Sequence, residues 1–254
     1  MDLIDTHCHL DVEAFDADRD RVIGAARAAG VVGVVVPGIQ AAGWPGLLAL
    51  CDSAPDLYPA LGLHPVYLSQ HREEDVTALE RVLADNRPVA VGEIGLDFFV
   101  GELDRGRQGD LFEAQLAVAA QAGLPVLLHV RKAHDQVLAM LKRIRVPGGI
   151  VHAFGGSLQQ AHRYIDLDFK LGFGGMLTFE RSRKLRALAR ELPAEAMVLE
   201  TDAPDLTVAA HRGERNSPEY LPDVLAALAS VRGEDPTAVA AQTTRNAREL
   251  LGLA

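Results

Sequence analysis

Asp5-Thr6-His7-Cys8-His9 sets two imidazoles two residues apart. In an extended strand such positions face the same way while Cys8 faces the other. A His-x-His pair at a strand end can chelate a divalent cation through two ring nitrogens, and taken alone it suits a hydrogen-bonded histidine pair equally well. Four more donors close apolar runs: Glu93 after Val89-Ala90-Val91-Gly92, His129 after Val126-Leu127-Leu128, His152 after Ile150-Val151, and Asp202 after Val198-Leu199-Glu200-Thr201. Buried carboxylates and imidazoles carry a heavy desolvation cost unless they are paired, hydrogen-bonded or bound to metal. Metal binding satisfies all six together. Four histidines and two carboxylates suffice for two divalent ions with one carboxylate bridging. Nitrogen-rich ligation suits zinc or manganese and phosphoryl chemistry suits magnesium. Asp202 is the candidate general base, because a free carboxylate oxygen can take a proton from an attacking water.

Three further residues are candidates for holding a substrate. His64 ends the run before Pro65, with no second ligand beside it in sequence. Arg131 lies two residues beyond His129 and so on the same side, where a guanidinium can grip an anion through two N–H groups. Arg215 stands in the polar stretch 203–216, which follows the last apolar run. His71, His134, His162 and His211 lie in polar or helical surroundings and are expected to be solvated.

Positioning these residues requires a particular frame. Apolar runs recur at 3–4, 31–36, 58–63, 89–94, 125–130, 150–154, 169–173 and 197–199. Stretches with helical spacing separate them at 18–29, 75–86, 107–123, 135–144, 158–166 and 183–192, and two more follow at 218–231 and 236–251. Nearly continuous apolar strands alternating with helices imply a parallel sheet covered by helices. Eight such units in a chain of this length imply α/β architecture as a single (β/α)8 TIM-like barrel spanning 1–254, the last two helices closing it. Active sites on that fold gather at the C-terminal ends of the strands, which is where the six candidate ligands fall.

The 254 residues are 48% hydrophobic and 24% charged, a globular composition. The formal net charge of -10 repels a polyanion at long range. Stable coating of duplex nucleic acid is therefore disfavoured, while a small anion or a chain end drawn to a local positive centre is not. Cys8 and Cys51 are the only cysteines, too few for a disulfide scaffold. The N-terminus has neither a basic segment nor an apolar core of a signal peptide, and no run is long enough to span a membrane. A soluble cytoplasmic protein is expected.

The ordered motifs Asp5-Thr6-His7-Cys8-His9-Leu10-Asp11, Gly62-Leu63-His64-Pro65, Gly92-Glu93-Ile94-Gly95-Leu96-Asp97, His129-Val130-Arg131, His152-Ala153-Phe154-Gly155-Gly156-Ser157 and Glu200-Thr201-Asp202-Ala203-Pro204 cover nearly the whole chain. With Asn216-Ser217-Pro218 and Thr243-Thr244-Arg245-Asn246-Ala247 they resemble the TatD family of metal-dependent hydrolases, related to the amidohydrolases, and most of all its YjjV-like subgroup. The resemblance implies a TIM-like barrel and deoxyribonuclease-type phosphodiester hydrolysis that trims single-stranded ends or acts on a small phosphoester. It implies one metal held by His7, His9, Glu93 and Asp202, and another held by His129 and His152 with Glu93 shared, so that Glu93 joins Asp202 in catalysis. Hydrolysis of an amide, ester or aminoacyl bond on the same site is the competing enzymatic reading. A non-catalytic metal-binding module is the third, and it leaves an open, water-bearing metal pair without a purpose.

Overall fold

The computed structural model describes residues 1–253. Its eight strands are β1 (Leu3–Asp5), β2 (Val31–Pro37), β3 (Leu57–Leu61), β4 (Ala90–Asp97), β5 (Val126–Arg131), β6 (Gly149–Val151), β7 (Phe169–Phe173) and β8 (Met197–Leu199). Each pairs in parallel with the next in chain order. The circle is closed by side chains as much as by backbone. Both the amide and the hydroxyl of Thr6 donate to Leu199 O at 3.0 Å. The buried Asp5 carboxylate in turn accepts from the Thr201 amide at 2.9 Å and from its hydroxyl. The result is the TIM barrel that the alternation predicts.

The helices are α1 (Arg19–Ala28), α2 (Trp44–Asp52), α3 (Glu74–Asn86), α4 (Arg105–Ala122), α5 (His134–Arg143), α6 (Leu158–Ile165), α7 (Arg183–Glu191), α8 (Leu221–Arg232) and α9 (Pro236–Leu251). Local chemistry sets their ends. Asp104 caps α4 by accepting from Gly106 N and Arg107 N, and Ser157 with Gln160 forms a reciprocal capping box on α6. Of these helices, α2 is absent from the sequence reading, because Pro45 and Gly46 interrupt its helical spacing. Pro45 in fact sits in the first turn, where its missing N–H costs nothing. The segment after β8 also differs from expectation: α8 begins at Leu221, and Pro218–Tyr220 form a separate short 3-10 turn.

One inward residue from each of seven strands builds an apolar floor: Ile4, Val35, Ala60, Ala90, Leu127, Ile150 and Val198. Ala247 and Leu251 of α9 plug it from below. Side chains alternate along a strand, so the next inward position lies two residues on, one layer higher. From Leu127, Ile150 and Val198 that step arrives at His129, His152 and Glu200. The floor is dry and the layer above it is polar, and this switch from apolar to ionisable places the site at the C-terminal mouth.

Candidate metal centre and active site

Glu93 occupies the middle of this upper layer, 2% exposed, with its two oxygens divided between separate histidine groups. Oε2 lies 3.2 Å from His7 Nε2 and 3.5 Å from His9 Nε2. Oε1 lies 3.0 Å from His129 Nδ1, 3.4 Å from His64 Nε2 and 3.9 Å from His152 Nε2. Asp202 completes the cluster. Its Oδ1 is 3.8 Å from His7 and 3.7 Å from His9, and its Oδ2 is 3.8 Å from His152. All six ligands expected from sequence therefore converge, and His64 joins them. Ligand atoms of His7, Glu93 and His152, of His7, His9 and Asp202, and of His64, Glu93 and His129 each lie within 4.8 Å of one another.

Local backbone makes this convergence possible. β4 runs past Glu93 to Asp97 through a register shift between Val91 and Ile94. Gly95, at φ 144°, passes so close to the His129 backbone that a Cβ there would meet the His129 carbonyl carbon at 3.0 Å. Asp202 lies three residues beyond the last residue of β8, and its left-handed φ of 61° turns its side chain inward while its amide donates to His7 O at 2.8 Å.

Supporting hydrogen bonds aim the rings. His129 Nε2 donates to Asp97 Oδ2 at 2.9 Å; Nδ1, 3.0 Å from Glu93 Oε1, donates to that carboxylate when protonated and would offer its lone pair were a cation to lie between them. His9 Nδ1 donates to Pro37 O at 3.2 Å, leaving Nε2 toward the two carboxylates. His152 Nδ1 rests 3.2 Å from Glu200 Oε1, and Glu200 also accepts from Ala153 N at 2.6 Å. His64 is the opposite case. Its Nδ1 accepts from Val66 N at 3.1 Å, so in the neutral ring Nε2 carries the proton and points into the site as a donor. Asp97 and Glu200 stand inside motifs that the sequence made visible, without an assigned role. For Glu200 the available signal was parity, since it lies two residues before Asp202 on the same strand course.

The donor set fits divalent cations. Among the described residues no lysine or arginine lies within ion-pair distance of Glu93 or Asp202, so imidazoles alone compensate two largely buried carboxylates. Burial pushes the Glu93 carboxyl up, and the facing His64, His7 and His129 together hold it well below the ordinary carboxylate range. Burial works against a charge on His9 and His152, yet Glu93 and Asp202 around the first raise it to about 9, and Asp202, Glu200 and Glu93 around the second raise it to about 10. A field that retains protons on these rings favours metal ions in the same place. His64 responds the other way, burial lowering it to about 4, in keeping with a neutral donor.

The cluster opens into a cavity of about 710 Å³ lined by His9, His64, Glu93, His129, His152 and Asp202, with Arg131 at its edge. Arg215 is elsewhere. It clamps Asp18 with two contacts of 2.8 Å and covers the Phe15 ring at 4.5 Å, tying the loop after β8 to the approach of α1, so its charge serves the frame and not the cavity. His71 differs from expectation too: it is buried, and its Nε2 donates to His64 O at 2.8 Å. His134 is half-buried against Phe154 and Tyr164. Cys8 packs in the outer core as expected, but not by strand parity: Ile4 faces the interior and β1 ends at Asp5, so the bend after the strand turns His7 and His9 inward.

Eight parallel strands carrying a carboxylate-imidazole cluster at their C-terminal mouth define a barrel hydrolase of the metal-dependent class. The family model described as TatD related DNase matches residues 4–252, and the chain belongs to that family as a metal-dependent hydrolase. It is 40% identical to the metal-dependent hydrolase YjjV of Escherichia coli over 98% of both chains. The solved structure of that E. coli TatD homologue superposes with a TM-score of 0.96 at 39% identity, covering 99% of this chain and 98% of the other. The 3'-5' ssDNA/RNA exonuclease TatD of Klebsiella pneumoniae is 36% identical, over 99% of this chain and 98% of its own. No helix among the described residues is long and apolar enough to cross a membrane.

Proposed function

We propose that this chain hydrolyses phosphodiester bonds at the ends of single-stranded nucleic acid, using two divalent cations. The observation that carries the proposal is the division of Glu93: one oxygen serves His7 and His9, the other His129 and His152, the disposition of a carboxylate shared between two ions. His7, His9 and Asp202 would hold one ion with Glu93, and His129 and His152 the other. Such ions, when bound, supply Lewis acidity toward a phosphoryl oxygen and ease the loss of a proton from water near neutral pH.

The remaining work falls to side chains. Asp202, with a side chain about 15% exposed, would take the proton as water adds to phosphorus and return it to the leaving oxygen as that P–O bond breaks. The His64 Nε2–H donates toward a non-bridging phosphoryl oxygen, where a neutral donor stabilises gathering negative charge. Arg131 faces the cavity mouth as the cation for the adjoining phosphate. The net charge of -10 repels long duplexes at a distance, while a strand end needs only the local positive centre.

The test is an assay of metal-stripped protein reconstituted with zinc, manganese or magnesium on end-labelled single-stranded DNA, beside Asp202→Asn. The expected outcome is metal-dependent release of nucleotides from the end and a loss of at least about 100-fold in the variant. Equal activity in the two proteins, or turnover of carboxylic esters with none of the oligonucleotide, refutes the proposal.

A further inference from the structure

Five large hydrophobic side chains are exposed among the described residues, and one of them, Phe99 at 55%, is aromatic. It sits in the loop after β4, beside the barrel mouth. Its position is fixed from within the site: the Phe99 and Val100 amides donate to Asp97 Oδ1 at 2.8 and 3.0 Å, while Oδ2 of the same carboxylate holds His129. Two cations gather on the ring. The Arg131 guanidinium lies 4.2 Å from its centroid and the Lys132 ammonium 4.8 Å.

That pairing is not what the strand alone produces. Consecutive residues at the end of β5 should point to opposite faces. Lys132 instead adopts the left-handed conformation, φ 54°, which is unfavourable for a residue with a Cβ and turns its side chain back toward the neighbour of Arg131. Among the described residues Lys132 forms no ion pair, and Arg131 is half exposed, with Asp97 Oδ2 at 3.6 Å, and lines the cavity. A half-exposed aromatic ring that keeps uncovered surface beside two cations lying over it, in a protein of net charge -10, is the combination that takes a nucleobase by stacking and its phosphate by charge.

We propose that Phe99, Arg131 and Lys132 form a platform for the nucleoside next to the scissile phosphodiester, its base laid on the Phe99 ring and its phosphate held by the two cations. The platform rests on the phosphodiesterase reading and adds to it a preference for substrates carrying a base at that position. It gives the enzyme a grip on strands that does not depend on sequence, since every base offers a π face.

The experiment compares hexathymidylate with the same chain made of abasic residues, as kcat/KM with reconstituted metal and as binding by anisotropy of fluorescein-labelled oligonucleotide to metal-free protein. The wild type should prefer hexathymidylate in both measurements, and in Phe99→Ala that preference should shrink about tenfold through KM, while Phe99→Trp keeps it. Lys132→Asn, which retains a residue tolerant of the left-handed turn, should reduce the slope of log affinity against log salt by about 0.7. An equal loss on thymidylate and abasic chains in Phe99→Ala, or no change in the ratio, overturns the platform and leaves the hydrolytic reading standing. A wild type that cleaves neither oligonucleotide overturns both.

Discussion

Asp97→Asn isolates the control of one ligand's proton. In the structure Asp97 Oδ1 accepts two loop amides, and Oδ2 accepts from His129 Nε2 at 2.9 Å. Asparagine keeps an oxygen for the loop amides and turns an NH₂ toward His129. A donor facing Nε2 favours the tautomer with its proton on Nδ1, the atom 3.0 Å from Glu93 Oε1 that would present a lone pair to a cation under the proposed two-ion reading. The lost interaction is a hydrogen bond to a charged acceptor, worth about 1.5–3 kcal/mol, or roughly 10- to 150-fold in an equilibrium constant. Metal affinity of the site that uses His129 should fall by about 10- to 100-fold, the usual cost of removing an outer partner of a metal histidine. Isothermal titration of stripped protein with zinc or manganese measures this directly, and circular dichroism checks that the fold is retained. Because the loop bonds survive the substitution, a purely structural Asp97 predicts no change. Affinity within about twofold of wild type would refute the tautomer reasoning.

Three other substitutions probe separate parts of the frame. In Gly172→Ala a Cβ would intrude on Glu200, 2.6 Å from its carboxyl carbon, displacing the group that supports His152 and the Ala153 amide; turnover at fixed metal should drop about 10- to 100-fold. Arg215→Ala should lower the melting temperature by a few degrees while kcat/KM per folded molecule stays close to wild type. Since Arg215 and Arg21 hold the Asp18 carboxyl below its ordinary value, this deficit should shrink as pH falls below about 3.8, where the unfolded carboxyl takes a proton before the folded one, and close once the folded Asp18 is protonated as well. His134 is lowered to about 4, by burial first and the nearby Lys184 second. The unfolded chain therefore binds the extra proton between about 6.5 and 4, and wild-type stability should decline across that window as pH falls, by about 1–3 kcal/mol. Denaturant titrations of His134→Gln should lack this component.

The convergence of the six candidate ligands was legible because ionisable residues follow or close apolar runs, and a barrel brings such positions together. Register carried the information: Leu127 to His129 and Ile150 to His152 are single steps up the same wall. Pairings across the chain were not legible. Arg215 meets Asp18 across 197 positions, and nothing local distinguishes an arginine that grips substrate from one that fastens a loop. Asp97 and Glu200 were hidden by redundancy, since a carboxylate two or four residues from a better-placed one gives no sign of its own task. The extension of β4 past Ile94 through Gly95 to Asp97 was obscured for a related reason: a glycine that admits a neighbouring backbone looks like a glycine that makes a turn. His71 was read as solvated from its polar neighbours, although burial depends on what packs over a residue in space.

The stitching of Asp5 to Thr201 spans 196 positions, about three-quarters of the chain. During synthesis the first two histidines emerge early, yet the strand that seals them in and the carboxylate of Asp202 come only after some four-fifths of the polypeptide has left the ribosome. A growing or truncated chain thus holds fragments of a chelator and no reaction chamber. The sixth candidate ligand joins the other five only once β8 has taken its place beside β1, and any chain ending before Asp202 lacks it.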